Sequence, residues 1–385
     1  MAWEPTIYSP AAGYTNPGSS KTESLLIHTM ADMIPIWRMS CLTATPGLRV
    51  LAAKAFGGKA ALGAETYGNI GSLKSTGSGI TFTDGGYLKE FVQNFTTISG
   101  SVIGQLGNVN PQFISPGVSG AYSWARLIWS VGIPDEVVND QKGRAQIFSV
   151  MKTRLDIAKQ SAIRDLSYLF FGHSSAPSGS PAGLNYLISV TQGSLGGINT
   201  TTYDGWKNCY TPVTSIGGGG ELDRPLALLR KIQGFNIRVN SFAEAADTDP
   251  VIWATPGAYQ YYLRAAYADG VANQGLRAGD LYDIGIDAIT VEGRPMVYDS
   301  AVQVPIGATA STEAMYWSDL KTLGLDVKRD EFLKVEGPAG PSPKDKQRYW
   351  QFNILARVCP DVVARRHQGC LYNLPANTDV ISSNG

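Results

Sequence analysis

The chain has 385 residues, and its 32 Lys+Arg balance 32 Asp+Glu, so the formal charge is zero and only 17% of positions are charged, where roughly 25% is usual. Hydrophobic content of 43%, with 18 Tyr, 12 Phe and 8 Trp, excludes global disorder, and 43 Gly with 21 Pro argue for many turns rather than a helical bundle. Zero net charge leaves nothing to repel one copy from another, so the composition leans toward a chain that lives in an assembly.

Length sets a prior of roughly two to three domains. Cys41, Cys209, Cys359 and Cys370 are scattered without CxxC spacing, which indicates neither a zinc ribbon nor a disulfide framework and makes a reducing compartment the default. The first twenty residues lack a basic segment followed by an unbroken apolar one, which argues against a secretory signal. No apolar run approaches the ~18 residues of a membrane span, since Pro35 and Arg38 break the best one.

In chain order, Met1–Ser20 is rich in Pro, Gly, Ser and Thr and reads as an arm without a core of its own. Thr22–Arg38 could begin with a helix that Pro35 ends. Gly47–Gly86 is glycine-rich without a clear period and reads as extended with short elements. Phe91–Ala125 then runs without one Asp, Glu, Lys or Arg. Its Phe91, Phe95, Ile98, Val102, Ile103, Leu106, Phe113 and Ile114 are too many apolar groups to leave in water. A buried hairpin and a projecting loop covered by a neighbouring subunit both fit.

After a strand-like segment, Tyr122–Val131, the period changes. Phe148, Met151, Leu155, Ala158, Ala162, Leu166 and Leu169 recur every three or four residues, which predicts a long helix over about 139–171. Asn139 or Asp140 would cap its start and Gly172 would stand at C′. Lys142–Asp165 holds six basic residues (Lys142, Arg144, Lys152, Arg154, Lys159, Arg164) and two acidic ones (Asp156, Asp165), a local balance of +4. A solvated helix face and a surface turned toward packaged nucleic acid would read alike, although zero total charge argues against dedicated DNA binding. Beyond a polar loop, helices at Leu222–Ile232 and Pro256–Tyr267 flank a strand at Val251–Ala254, which suggests an α/β lobe. A hairpin around Glu292-Gly293, a strand at Ala314–Trp317 and a β-rich end over Asp319–Glu336, Tyr349–Val358 and Val362–Leu374 follow.

Catalytic signals are weak. Gly172-His173-Ser174-Ser175-Ala176 comes near the G-x-S-x-G elbow, but it follows a helix instead of a strand and ends in Ala; an α/β hydrolase using Ser174 is the enzymatic alternative. The glycine run Gly217–Gly220 lacks a following Lys-Ser/Thr and has Glu221 and Asp223 beside it, so it reads as a connector. Cys359, His367 and Cys370 have irregular spacing for zinc.

The order of these elements resembles the major capsid proteins of tailed bacteriophages, which share the Hong Kong 97-like fold. The likeness extends to Tyr122-Ser123-Trp124 leading through Ile133-Pro134 to the helix; Gly183-Leu184; Gly196-Gly197-Ile198-Asn199 with Tyr203 and Trp206; Val291–Asp299; and Met315-Tyr316-Trp317. It implies an α+β chain in which 1–85 form an N-terminal arm and 86–121 an extended E-loop. Residues 122–171 and 311–385 would make a peripheral domain around the spine helix, and 172–310 an axial domain. The eight apolar residues from Phe91 to Ile114 would then contact a neighbouring subunit, and Arg144, Lys152, Arg154, Lys159 and Arg164 would offer an interior basic face to double-stranded DNA.

The resemblance further implies self-assembly into hexamers and pentamers of an icosahedral shell, located in the virion and assembled in the host cytoplasm. It implies no catalysis, no cofactor, no metal and no membrane, and it admits separate scaffolding, portal and decoration proteins. An encapsulin-like nanocompartment shell is the alternative within the same fold. Some family members cross-link an E-loop lysine to a neighbouring asparagine, but no lysine lies between Lys89 and Lys142, so that chemistry is not expected here.

Overall fold

A computed structural model describes residues 41, 44–56, 78–83, 88–93, 117–134, 144–179, 181–213, 225–242, 248–268, 288–308, 312–339 and 349–375. The expected helix in 22–38, the glycine run at 217–220 and the loop residues Phe95, Ile98, Val102, Ile103, Leu106, Phe113 and Ile114 lie outside them. In chain order the elements are α1 (Pro46–Phe56), β1 (Ile80–Thr83), β2 (Leu88–Gln93), β3 (Val118–Ser123), β4 (Ala125–Pro134), α2 (Arg144–Phe171), α3 (Leu184–Leu187), β5 (Ser194–Leu195), β6 (Ile198–Asn199), β7 (Cys209–Pro212), α4 (Pro225–Phe242), β8 (Pro250–Ala254), α5 (Pro256–Ala268), β9 (Ile289–Val291), β10 (Arg294–Tyr298), β11 (Thr312–Asp319), β12 (Leu323–Lys328), β13 (Lys334–Ala339), β14 (Tyr349–Val362) and β15 (Gly369–Pro375).

Two sheets organise the chain. In the first, the 14-residue strand β14 pairs with β4, with β12 and with β13, and β1 joins β12 in parallel. β4 alternates strictly, with Leu127, Trp129, Val131 and Ile133 buried and Arg126, Ile128 and Ser130 exposed, the period-2 signature of a strand with one face covered. The covering element is α2, whose Leu155, Ala158, Ala162, Leu166 and Leu169 are buried. These are five of the seven positions that the helical period marks. The Trp129 indole N–H donates to Asp165 Oδ2 on the helix at 2.9 Å, so the only polar atom of that large side chain is satisfied as it buries. Pro360 sits inside β14 opposite Leu325, beyond Val358, where the pairing with β4 ends; its missing N–H therefore costs no ladder bond.

The second sheet has the order β7-β15-β11-β8-β10-β9. Glu292 and Gly293, with φ of 48° and 81°, turn β9 into β10, the two positive-φ residues of a type I′ hairpin. The strands at 312–319 and 369–375 belong to this sheet, beside β8 and β10, so its strands come from both sides of the 310/311 boundary that the resemblance implied. The chain passes from the second sheet to the first between β11 and β12 and returns between β14 and β15. No sequence period reveals this, because β15 finds its partners β7 and β11 far along the chain.

α2 ends by a mechanism its sequence announces. Gly172 has φ of 73°, and the His173 N–H donates to the Tyr168 carbonyl at 2.8 Å, the 6→1 bond of a Schellman cap. The His173 ring completes the motif by stacking on Tyr168, with centroids 4.1 Å apart. Just before the cap, Phe170 and Phe171 are buried and meet Trp253 of the second sheet edge-on, so the last turn of the helix ties the two sheets together.

α1 departs from expectation. The segment read as extended contains an 11-residue helix with Pro46 at its first position, where proline is well tolerated. The Thr45 hydroxyl accepts from the Leu48 N–H at 3.4 Å. Leu48, Leu51, Ala52 and Ala55 are buried along it. A short apolar stripe inside a glycine-rich window was masked by its surroundings. α4 also runs past the expected Ile232 to Phe242.

Candidate assembly interface

β2 and β3 form an antiparallel ladder from Leu88↔Ser123 to Gln93↔Val118. The stretch between its ends, residues 94–117, is the heart of the uncharged segment. The root of this hairpin is built into the core. Phe91 is 7% exposed and its ring stacks on Tyr122 and on Trp206, with centroids 5.3 and 5.4 Å away. The Tyr122 hydroxyl donates to the Val362 carbonyl at 3.0 Å, and the Trp206 indole N–H donates to the Leu195 carbonyl at 3.1 Å. Both polar tips of the aromatic stack are thereby paired inside the protein.

The tight β5–β6 turn supplies the floor. Gly196 and Gly197 have φ of 60° and 83°, and the Gly196 carbonyl accepts from the Ala121 N–H at 3.0 Å. A Cβ added at Gly120 would come within 2.4 Å of the Phe91 ring and 2.8 Å of the Gly196 oxygen. The Gly-Gly-Ile, Tyr122 and Trp206 motifs noted in the sequence thus converge on one place, the base of the hairpin.

Phe91 therefore requires a correction. Counted in the sequence among the residues facing a neighbouring subunit, its side chain is spent inside its own chain, because β2 turns it toward Trp206. Val92, the next residue, points the other way and is 63% exposed.

The basic residues of α2 do not share one face. At about 100° per residue, Lys152 and Lys159 flank one side of the buried stripe, Arg154 flanks the other, and Arg164 points away from the core. Lys152, Arg154 and Arg164 are exposed and Lys159 is half-buried. Arg164 is 3.3 Å from Asp165, and Lys159 partly offsets the burial that pushes the Cys41 thiol up to about 12. For Arg144 only its place at the start of the helix is described.

The chemical candidates do not assemble. Ser174 follows the helix cap, not a strand, so the strained strand-to-helix elbow is missing. His173 Nδ1 accepts from the Ser175 backbone N–H at 3.0 Å, and burial lowers the histidine's pKa. Cys359 lies in the first sheet and Cys370 in the second, both buried. Among the described residues no three His, Cys, Asp or Glu side chains converge as metal ligands, and no helix is long and apolar enough to cross a membrane.

No protein-family model and no curated protein matches the chain by sequence. Its structure is similar to a chain of the cyanophage A-1(L) capsid asymmetric unit, with a TM-score of 0.50 and 14% identity, over 77% of this chain and 91% of that one. The chain has the Hong Kong 97-like fold. Looser matches are the capsid of cyanophage P-SCSP1u (TM-score 0.47, 12% identity, 78% of this chain and 87% of that one) and Gordonia phage Cozz (TM-score 0.45, 13% identity, 78% and 85%). In this chain α2 is the long helix laid against the first sheet, and the described part of the β2–β3 hairpin rests on the Phe91, Tyr122 and Trp206 stack.

Proposed function

We propose that this chain is a major capsid protein that self-assembles into hexamers and pentamers and so builds the icosahedral shell around a phage genome. One observation carries the reading: in a Hong Kong 97-like fold, the sequence from 94 to 117, between two strands held by an aromatic root, has no charge and eight large apolar side chains. Such a segment is stabilised when a second surface removes it from water, at about 25 cal/mol per Å² of apolar area. In this reading 86–121 is the E-loop, 1–85 the N-terminal arm, and the first sheet with α2 the peripheral domain. The second sheet with α4 and α5 is the axial domain, extended by β11 and β15 beyond the 172–310 range.

The function is structural and needs no catalytic step or cofactor. Contact with packaged double-stranded DNA would be non-specific, through whichever basic residues of α2 face inward, among them Arg144, Lys152, Arg154, Lys159 and Arg164. Shell assembly would take place in the host cytoplasm, with scaffolding, portal or decoration proteins as separate chains. Negative-stain microscopy of the expressed protein tests the proposal. Rings, sheets or closed shells are expected, and persistent monomers under all assembly conditions would overturn it. DNA within native particles would separate the virion from an enzyme-filled compartment.

A further inference from the structure

Natural sheets protect their edges, and here one edge has no strand beside it among the described residues. An edge strand carries a row of unpaired N–H and C=O groups, so proteins keep edges short or interrupt them with bulges and prolines. In the second sheet the edge strands β7 and β9 have four and three residues, and β7 ends in Pro212. In the first sheet β1 has four residues, and β13 has six with a register break between Glu336 and Ala339. β4 differs: it has ten residues in unbroken register with β14 and, among the described residues, no strand on its other side. Its only proline is the last residue. Beside this edge a groove of about 380 Å³ runs between β4 and α2, lined by Ile128, Arg154, Ile157 and Ser161 among others. Ile128 and Ile157, on its two sides, are 53% and 58% exposed.

We infer that the free edge of β4 pairs antiparallel with β4 of a second copy about a two-fold axis at Ser130, joining two first sheets into one. The strand is self-complementary about that residue. Ile128 falls opposite Gly132 of the second copy, where an added Cβ would find only Tyr349 at 3.5 Å. Arg126 falls opposite Pro134, so like charges stay apart. A second, smaller cavity at the Ala125 end of the strand is lined by Asp165 together with Pro177, Ser178 and Gly179, whereas Arg154 lines the groove toward Gly132, so the same axis lays the Arg154 end of one helix toward the Asp165 end of the other. Charge complementarity and the pairing of a large residue with a small one both select a second copy over an unrelated strand.

The inference rests on the shell reading and deepens it. A loop laid on the next subunit is a heterologous contact, which closes rings, whereas joining rings into a shell takes a further contact, and an isologous two-fold provides one.

Ser130 is exposed, and directly opposite residues of antiparallel strands have Cβ atoms ~4.5–5.5 Å apart. Ser130→Cys should therefore form an intermolecular disulfide when diamide takes up the two thiol hydrogens. Arg126→Cys should not, because its two copies would lie about 27 Å apart along the ladder. The four native cysteines are buried and do not compete. A dithiothreitol-reversible dimer as the main Ser130→Cys product, with Arg126→Cys remaining monomeric on the gel, is the expected result. Equal linking of both variants, or no linking of Ser130→Cys, would overturn the two-fold. Unlinked shells would do so while leaving the shell reading intact; linked dimers without shells would sustain the two-fold and remove that reading.

Discussion

Gly183 packs so closely on Gly172 that a Cβ at position 183 would lie 2.3 Å from the Gly172 amide nitrogen and 2.6 Å from the Leu169 carbonyl oxygen. The Asn185 amide N–H donates to the Gly172 carbonyl at 2.8 Å, so the cap of the long helix and the start of α3 are one unit. Gly183→Ala must push backbone against backbone, and overpacking of this kind costs about 1–3 kcal/mol. Urea denaturation of the subunit should show a lowered midpoint with an unchanged m-value. Gly193→Ala, which meets nothing within 4 Å, should be nearly silent in the same assay.

Removing the aromatic root of the hairpin should be felt by the isolated subunit. Phe91→Ala deletes a buried ring packed on Tyr122 and Trp206, a change that typically costs about 3–5 kcal/mol. Phe91→Leu keeps most of the apolar area and forfeits mainly the ring–ring term, about 0.5–1.5 kcal/mol. Thermal unfolding of the monomer should rank wild type above Leu and Leu above Ala. Equal melting of all three would remove Phe91 from the core.

Two buried aspartates pull the acid response in opposite directions. Burial alone would raise the Asp319 pKa. His367 Nδ1 at 3.6 Å, backbone N–H bonds from Asp249 and Lys321 and the Thr322 hydroxyl outweigh it and hold the carboxyl below its ordinary value. Its folded pKa is thus below its unfolded one near 3.9, so its stabilisation is present above about pH 4 and is lost as pH falls through the folded value. Burial raises the Asp299 pKa, and bonds from the Ala301 and Gly47 N–H groups offset that only partly. Its contribution is fully present below the unfolded value and is lost as pH rises through the folded one. Asp319→Asn should flatten the loss of stability below about pH 4, and Asp299→Asn should make stability fall more steeply with acidification just above about pH 4, in denaturation midpoints taken across pH 3–6.

Legibility in the sequence followed the range of the interactions. The long helix, its Gly172 cap and the Glu292-Gly293 turn are local, and period and turn chemistry mark them. Phe91 shows the opposite case: absence of charge flags its segment as apolar, but whether its ring meets Trp206 or a neighbouring subunit depends on a partner far along the chain. The division of strands between the two sheets is likewise a matter of distant pairing. The alternation of β4 is plain in Leu127, Trp129, Val131 and Ile133, yet nothing in those residues says that, among the described residues, one of its edges has no strand beside it.

Charged substitutions within 94–117 would separate folding from assembly. Ile103 and Phe113 lie within the uncharged 94–117 stretch, beyond the aromatic root that secures β2 and β3. If they are covered only by another subunit, Ile103→Asp or Phe113→Asp places an unpaired charge in a contact that the monomer does not contain. Each variant should then melt within about 0.5 kcal/mol of the parent as a monomer, as surface substitutions do, yet fail to form rings or shells under the microscope. The Phe91→Ala subunit should show the reverse order of effects, unstable first and assembly-deficient as a consequence. Normal shells from both charged variants would place the contact elsewhere, and a destabilised monomer would put these residues in the subunit's own core.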